Sequence, residues 1–169
     1  GGFGADMGGE RFFNINCRTS GEAPDAAVVV ATVRALKAHS GKYHIVAGRP
    51  LPEDLLAENP DDVHAGAANL VKQIENIRIH GVPTVVAVNA FSSDHPSEIE
   101  AIRRIRQWDG RARVLVFTMH QSAAYAAQAI RTGAKGYVTK SSPPDTLVTA
   151  ARDVLAGKPA GPVVLCGFR

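Results

Sequence analysis

Two uninterrupted apolar runs, AAVVVATV at residues 26–33 and TVVAV at 84–88, constrain this chain more than any other feature. A strand with one solvated face alternates polar and apolar residues. A run without alternation needs cover on both faces, and a parallel sheet held between layers of helices provides it. Between the runs, Val63, Ala67, Leu70, Val71, Ile74 and Ile77 recur at three- and four-residue steps until Gly81 and Pro83 stop the pattern. That spacing predicts a crossover helix. A further helix is expected from Pro96, with Glu98 near its positive end, Ile99, Ile102, Ile105 and Trp108 on one stripe, and its arginines in water. RVLVFT (113–118) and GYVT (136–139) read as strands, separated by an alanine-rich helix that Ser122 caps and Gly133 closes. Ser142, Pro143, Pro144 and Asp145 open a last helix whose apolar face is Leu147, Val148, Ala151, Val154 and Leu155, ended by Gly157. PVVLCGF offers one more strand, and the Pro-rich connection from Lys42 to Pro60 has no period, the mark of a mobile loop. The expected class is α/β, a mostly parallel sheet with crossover helices in three αβα layers, its completeness left open.

Composition fits one such unit. With 169 residues, 45% hydrophobic and 21% charged, the chain can bury roughly 70% of its unfolded surface in a single core. A net charge of +3 is too small an excess to point to nucleic acid, although Arg103, Arg104, Arg106, Arg111 and Arg113 gather near Trp108. Cys17 and Cys166 stand far apart without metal-ligand spacing, so reduced thiols, no metal and a cytoplasmic setting are expected. No run reaches membrane-span length. The opening GGFGADMGGE has no leader pattern and no initiator Met, and reads as the start of an internal piece.

The first chemistry follows the first strand. VATVRALKAHSG (30–41) places Arg34, Lys37 and His39 beyond the carboxyl end of a parallel strand, where ligands of open α/β sheets bind. Together with GFGADMGGERFFNINCR before it and GVPTVVAVNAFSSD after it, this stretch resembles formate–tetrahydrofolate ligase over residues 1–104. Ser40 departs from the family's usual Gly in the central motif. The resemblance implies an ATP-dependent reaction: formate is phosphorylated, and tetrahydrofolate then accepts the formyl group. Formate, folate and nucleotide would be the small-molecule partners, and ATP with Mg the cofactor. By the same resemblance, the Phe3, Gly4 and Asp6 loop approaches a ligand closely, Arg34 and Lys37 steady phosphate or the acyl intermediate, and His39 lies nearby. Asn89, Phe91 and Asp94 in NAFSSD present an aromatic face and a polar pair to a pterin or nucleotide. Each also has a plain structural reading, as turn, surface charge or helix cap. One part is missing: no GxxxxGK[ST] phosphate-cradling loop occurs, so this chain is not expected to be catalytically competent.

The second chemistry begins at ARVLVFTMHQSAAYAAQAIRTGAKGYVTKSSPPDTLVTAARDVLAGKPA. This stretch is similar to the carboxyl-terminal half of a response-regulator receiver domain, over residues 105–160. In that family a Thr and a Lys at successive strand ends contact a phosphoryl group on an aspartate, and Thr118 and Lys140 match them. The resemblance also makes Lys140–Ser141 a candidate cis bond, despite a cost of about 3 kcal/mol for a non-proline residue. The acidic pair and the acceptor aspartate have no counterpart, and Asp61 and Asp62 follow no strand, so they read as turn and cap residues. The two patterns overlap across Glu100 to Ile105, which keeps the strand–helix alternation in phase and suggests a chimera forming one fused α/β unit. Residues 161–169 match neither. The functional expectation is a ligase-like piece, with a signalling module docking a protein partner through its receiver-like half as the alternative.

Overall fold

A computed structural model describes residues 4–91, 93–99, 113–119, 121–131 and 133–160 of the protein. The expected Ile102, Ile105 and Trp108 stripe, the arginines at 103–111, Phe3, Cys166 and the PVVLCGF strand lie outside those residues.

The chain opens on α1 (Ala5–Arg11), which runs through a π-helical turn (Phe12–Cys17) into α2 (Arg18–Ser20) and stops at Gly21, whose φ of 75° only glycine adopts cheaply. The GFGAD segment is therefore already helical from Ala5 onward. β1 (Ala27–Thr32) leads into α3 (Val33–Ala38), and a long connection carries the helical turn α4 (Glu53–Leu56). The crossover helix α5 (Pro60–Arg78) returns the chain to β2 (Thr84–Ala90). α6 is described over 96–99 only; β3 (Arg113–Thr118), α7 (Ala123–Arg131), β4 (Gly136–Thr139) and α8 (Pro144–Leu155) follow.

Among the described residues the four strands are all parallel, in the order β1-β2-β3-β4. Val88 pairs with Val116 and Val85 with Arg113, so the enzyme-like and receiver-like strands share one sheet. Alternation along each strand sends Val29, Ala31, Val86, Val88 and Val114 to one face, under α3 and α5. The other face holds Val85, Ala87, Leu115 and Val138 against Ala150, Ala151 and Val154 of α8. Val116 and Tyr137 pack with Ala129 of α7. The three-layer arrangement follows. Its open flank is β1, where α8 does not reach and Val30 is 58% exposed.

Several local expectations change. Val148 is exposed and Ala150 takes its place, because the stripe facing the sheet passes through 147, 150, 151 and 154. The Ser142 hydroxyl pairs with Thr139 Oγ1 at 2.9 Å, leaving Pro143 as the residue before α8 with no side-chain cap. No cis peptide bond occurs among the described residues, so Lys140–Ser141 is trans, as the energetic preference of a non-proline bond favours. Asn59, not Asp61 or Asp62, caps α5 by accepting the Asp62 N–H at 3.1 Å. Asp62 is fully buried, accepts the Tyr43 hydroxyl and pairs with Lys42. With Leu55 also buried, these contacts anchor the Lys42–Pro60 connection despite its lack of period.

Candidate functional site at the carboxyl edge of the sheet

Each strand delivers a chemical group as it ends. Thr32 closes β1 and accepts the Ala35 N–H on Oγ1 at 3.0 Å, which starts α3 at once and sets Arg34 in its first turn. β2 carries Asn89 near its end and passes into Phe91, whose N–H is held by Asp94 Oδ2 at 2.8 Å. The carbonyl of Thr118, the last residue of β3, accepts the N–H of Lys140 at 2.8 Å and so fixes where Lys140 leaves β4.

These groups converge on Phe91. The Arg34 guanidinium carbon lies 4.7 Å from the centre of that ring and the Lys140 ammonium 4.8 Å, with Lys140 also 5.8 Å from the centre of Phe117. Cations rest favourably on aromatic faces. Arg34 donates to Ser93 Oγ at 2.7 Å, and no carboxylate among the described residues lies within salt-bridge distance of either cation. Burial raises the pKa of Asp94, against the opposing pull of the Phe91 N–H and Arg34.

The remaining expected residues are elsewhere. Lys37 does not face the cleft: its side chain is 2% exposed, and its ammonium lies 2.7 Å from Glu98 and 2.5 Å from the Ala57 carbonyl. Burial alone would raise the Glu98 pKa, but Lys37 and the N–H groups of Asn59 and His95 together hold it below the usual carboxylate range. His39 lies at the far end of α3 from Arg34. Together with Gly4 and Asp6 it lines a separate groove of about 340 Å³ between the start of α1, α3 and α5. Asp6 spends Oδ1 on the neighbouring Met7 N–H. Thr118 is fully buried. The sequence reading did not single out Ser93 or Phe117 as site residues; the second Ser of NAFSSD and the aromatic one residue before Thr118 were the available signals.

The profile of formate–tetrahydrofolate ligase matches residues 1–145, past residue 104 where the motifs change character. A formate–tetrahydrofolate ligase of Saccharopolyspora erythraea is 74% identical over 115 residues, covering 68% of this chain and 20% of that protein. Formate–tetrahydrofolate ligase 3 of Rubrobacter xylanophilus is 77% identical over 101 residues, 60% of this chain and 18% of its own length. One from Chloroflexus aurantiacus is 55% identical over 123 residues, 73% and 22% respectively. The chain thus spans about a fifth of the length of the curated relatives it matches. Among solved structures, a LuxR-family two-component response regulator from Aurantimonas sp. SI85-9A1 aligns at TM-score 0.49 with 31% identity, over 82% of this chain and 89% of that one. The isolated REC domain of RcsB from Salmonella enterica serovar Typhimurium aligns at TM-score 0.47 with 16% identity, over 83% and 95%. With its profile matched across most of its length, the chain belongs to the formate–tetrahydrofolate ligase family.

Proposed function

We propose that this chain forms one wall of a formate–tetrahydrofolate ligase ligand cleft, able to bind folate or nucleotide but not, by itself, to turn them over. The observation that carries this reading is the convergence of Arg34, Asn89, Phe91 and Asp94 at one strand edge. The half-buried Phe91 ring offers a flat apolar surface, and the Arg34 guanidinium beside it suits the distributed charge of a phosphate or acyl phosphate. Mg would arrive with the nucleotide, since it is commonly held through substrate phosphates. Phosphoryl transfer also needs a cradle for the triphosphate, and no GxxxxGK[ST] segment supplies one here. The setting that suits folate chemistry and a free Cys17 is the cytoplasm.

The test is calorimetric titration of the purified chain with tetrahydrofolate and with MgATP, paired with an assay for formyl-tetrahydrofolate. Saturable binding that Phe91→Ala weakens, with no product above a protein-free control, supports the reading. Product formation, or the absence of any binding, overturns it.

A second reading, a receiver-like signalling module, draws on the hydrogen bond from the Lys140 N–H to the Thr118 carbonyl at 2.8 Å, which keeps that Thr and Lys together at adjacent strand ends. It requires an acceptor aspartate. Phosphorylation of an aspartate by acetyl phosphate, read by intact mass, would favour it; an unlabelled chain counts against it.

A further inference from the structure

The residues ahead of β1 form an arm whose apolar hold on the body is one aromatic ring. None of α1, the π-helical turn or α2 contains a buried residue, and Phe13 is the arm side chain packed on the core cluster of β1, α3 and α5. Its ring stacks on His80, with centroids 4.3 Å apart and planes 11° from parallel. Around that anchor the arm stands off the body. Grooves of about 370, 410 and 340 Å³ separate α1 from the end of α5, from β1, and from α3 with the middle of α5. Segments with so little buried apolar contact open at a lower free energy than the whole domain.

The groove of about 410 Å³ has Gly4, Gly8 and Phe12 of the arm on one side and Val28, Val29 and Val30 on the other. Among the described residues β1 is an edge strand, paired with β2 alone. The Ala27 N–H bonds the Pro83 carbonyl on the β2 side. With a period of two, Val29 and Ala31 also turn their backbone groups to β2, and Val28 and Val30 turn theirs to the open edge. Such an edge is a template for another strand. It is also complementary to itself. Laid antiparallel about a two-fold axis at Val29, β1 sets Val28 opposite Val30 of a second copy, both backbone bonds are exchanged in each such pair, and four valines meet on the face that α8 leaves open.

We propose that the amino-terminal arm is a displaceable cover on β1, and that swinging it off lets this edge pair with β1 of a second copy. The arm forms the far wall of the groove, so a paired strand with its side chains must displace α1; cover and pairing exclude each other. Pairing of six residues a side buries less than the about 1,200 Å² of a stable interface, so the dimer forms only where the arm is open and the protein concentrated.

The experiment combines hydrogen exchange with analytical ultracentrifugation on the full chain, Phe13→Ala, and Phe13→Ala/Val30→Lys. Phe13→Ala is expected to speed exchange across the arm by about tenfold, a fraction of the effect of truncating a fully buried Phe, while the Val86 and Val116 amides keep the parent rates. It should also move the chain from monomer toward dimer as concentration rises, with the Val28 and Val30 amides gaining protection in step. Adding Val30→Lys, at an exposed position, places a charge on the edge and should restore the monomer with the arm still open. If Phe13→Ala also speeds Val86 and Val116, His80→Ala decides: it removes the ring stack, leaves Phe13 on the core, and should speed the arm and raise the dimer fraction by smaller factors. Arm amides as protected as Val86, an opened arm with no dimer at any concentration, or association that survives Val30→Lys overturns the proposal.

Discussion

The Lys37 ammonium lies 2.7 Å from Glu98 Oε1, and each side chain is only 2% exposed. The same carboxylate accepts the N–H groups of Asn59 at 3.0 Å and His95 at 3.1 Å, so one acid ties α3, the start of α5 and the start of α6 together behind Arg34. Removing one partner of a buried pair leaves the other charged and uncompensated, at a cost of about 3–5 kcal/mol. Lys37→Met is expected to lower the urea midpoint accordingly, with Lys37→Met/Glu98→Gln recovering part of the loss because the stranded charge is gone. A single mutant with the parent's midpoint would show that the pair contributes little. Glu98 also sets a pH direction: its folded pKa is depressed, so its contribution is complete above the unfolded carboxylate value and fades as pH falls through the folded one.

The tyrosines act at the other end of the pH scale. The Tyr43 hydroxyl donates to the buried Asp62 carboxylate, and that bond, with burial, pushes its pKa up to about 12. Burial in the core raises Tyr137 to about 12 as well. A folded value above the unfolded one, near 10 for a free tyrosine, stabilises the fold below that pH and ceases to do so as pH climbs through 12. Spectrophotometric titration should therefore find little phenolate in the folded chain at a pH where the urea-unfolded chain is already largely ionised. Tyr43→Phe should remove one of the late-titrating groups. Matching folded and unfolded curves would contradict the buried Tyr43–Asp62 bond.

Gly66 marks where α5 crosses α3. A methyl group there would lie 1.6 Å from the Leu36 carbonyl oxygen, a distance no side-chain shift relieves because the obstacle is backbone. Gly66→Ala is expected to destabilise by about 1–3 kcal/mol, and by more if α3 cannot move. Any movement of α3 carries Arg34 with it, so nucleotide affinity should fall along with the melting temperature. A Gly66→Ala chain with unchanged stability would mean the helices cross farther apart.

Much of this could be read from the sequence because periodicity reports burial. The unalternating VVAV of β2 is covered on both faces as expected, with the 3.6-residue pattern from Val63 to Ile77 providing one side. The equally unalternating VVV of β1 is covered on one face only: Val29 is buried while Val28 and Val30 are exposed, because β1 is the edge strand that α8 leaves uncovered. What could not be read depends on residues distant in sequence. Nothing near Lys37 announces that Glu98, 61 positions away, would neutralise it, so Arg34 and Lys37 looked equivalent one turn apart on the same helix. The meeting of Lys140 with Phe91 likewise depends on sheet order, which places β4 beside β3 and β3 beside β2. Val148 departs from the expected face because two adjacent apolar residues, Leu147 and Val148, leave the helix stripe ambiguous until the sheet selects one side.

The shared sheet yields the last prediction. Leu115 is fully buried on β3 and belongs to the cluster that joins Val85 and Ala87 of β2 to Val138 of β4 and Val154 of α8. Gly136 stands opposite it on β4, where an added Cβ would meet Leu115 Cδ1 at 2.5 Å and the Ala160 carbonyl oxygen at 2.6 Å, so the packing admits no spare volume. Shortening Leu115 to Ala should cost about 2–5 kcal/mol through lost burial and the cavity left behind. If the strands from the two sequence patterns form one cooperative core, that cost reaches β1 as well. Hydrogen exchange at the Val29 and Val86 amides should then accelerate together with exchange at Val116 and Val138, and thermal unfolding should remain a single transition at a lower temperature. Two separated transitions, or protection lost only on the β3 and β4 side, would show that the sheet is continuous in its hydrogen bonds but divided in its stability.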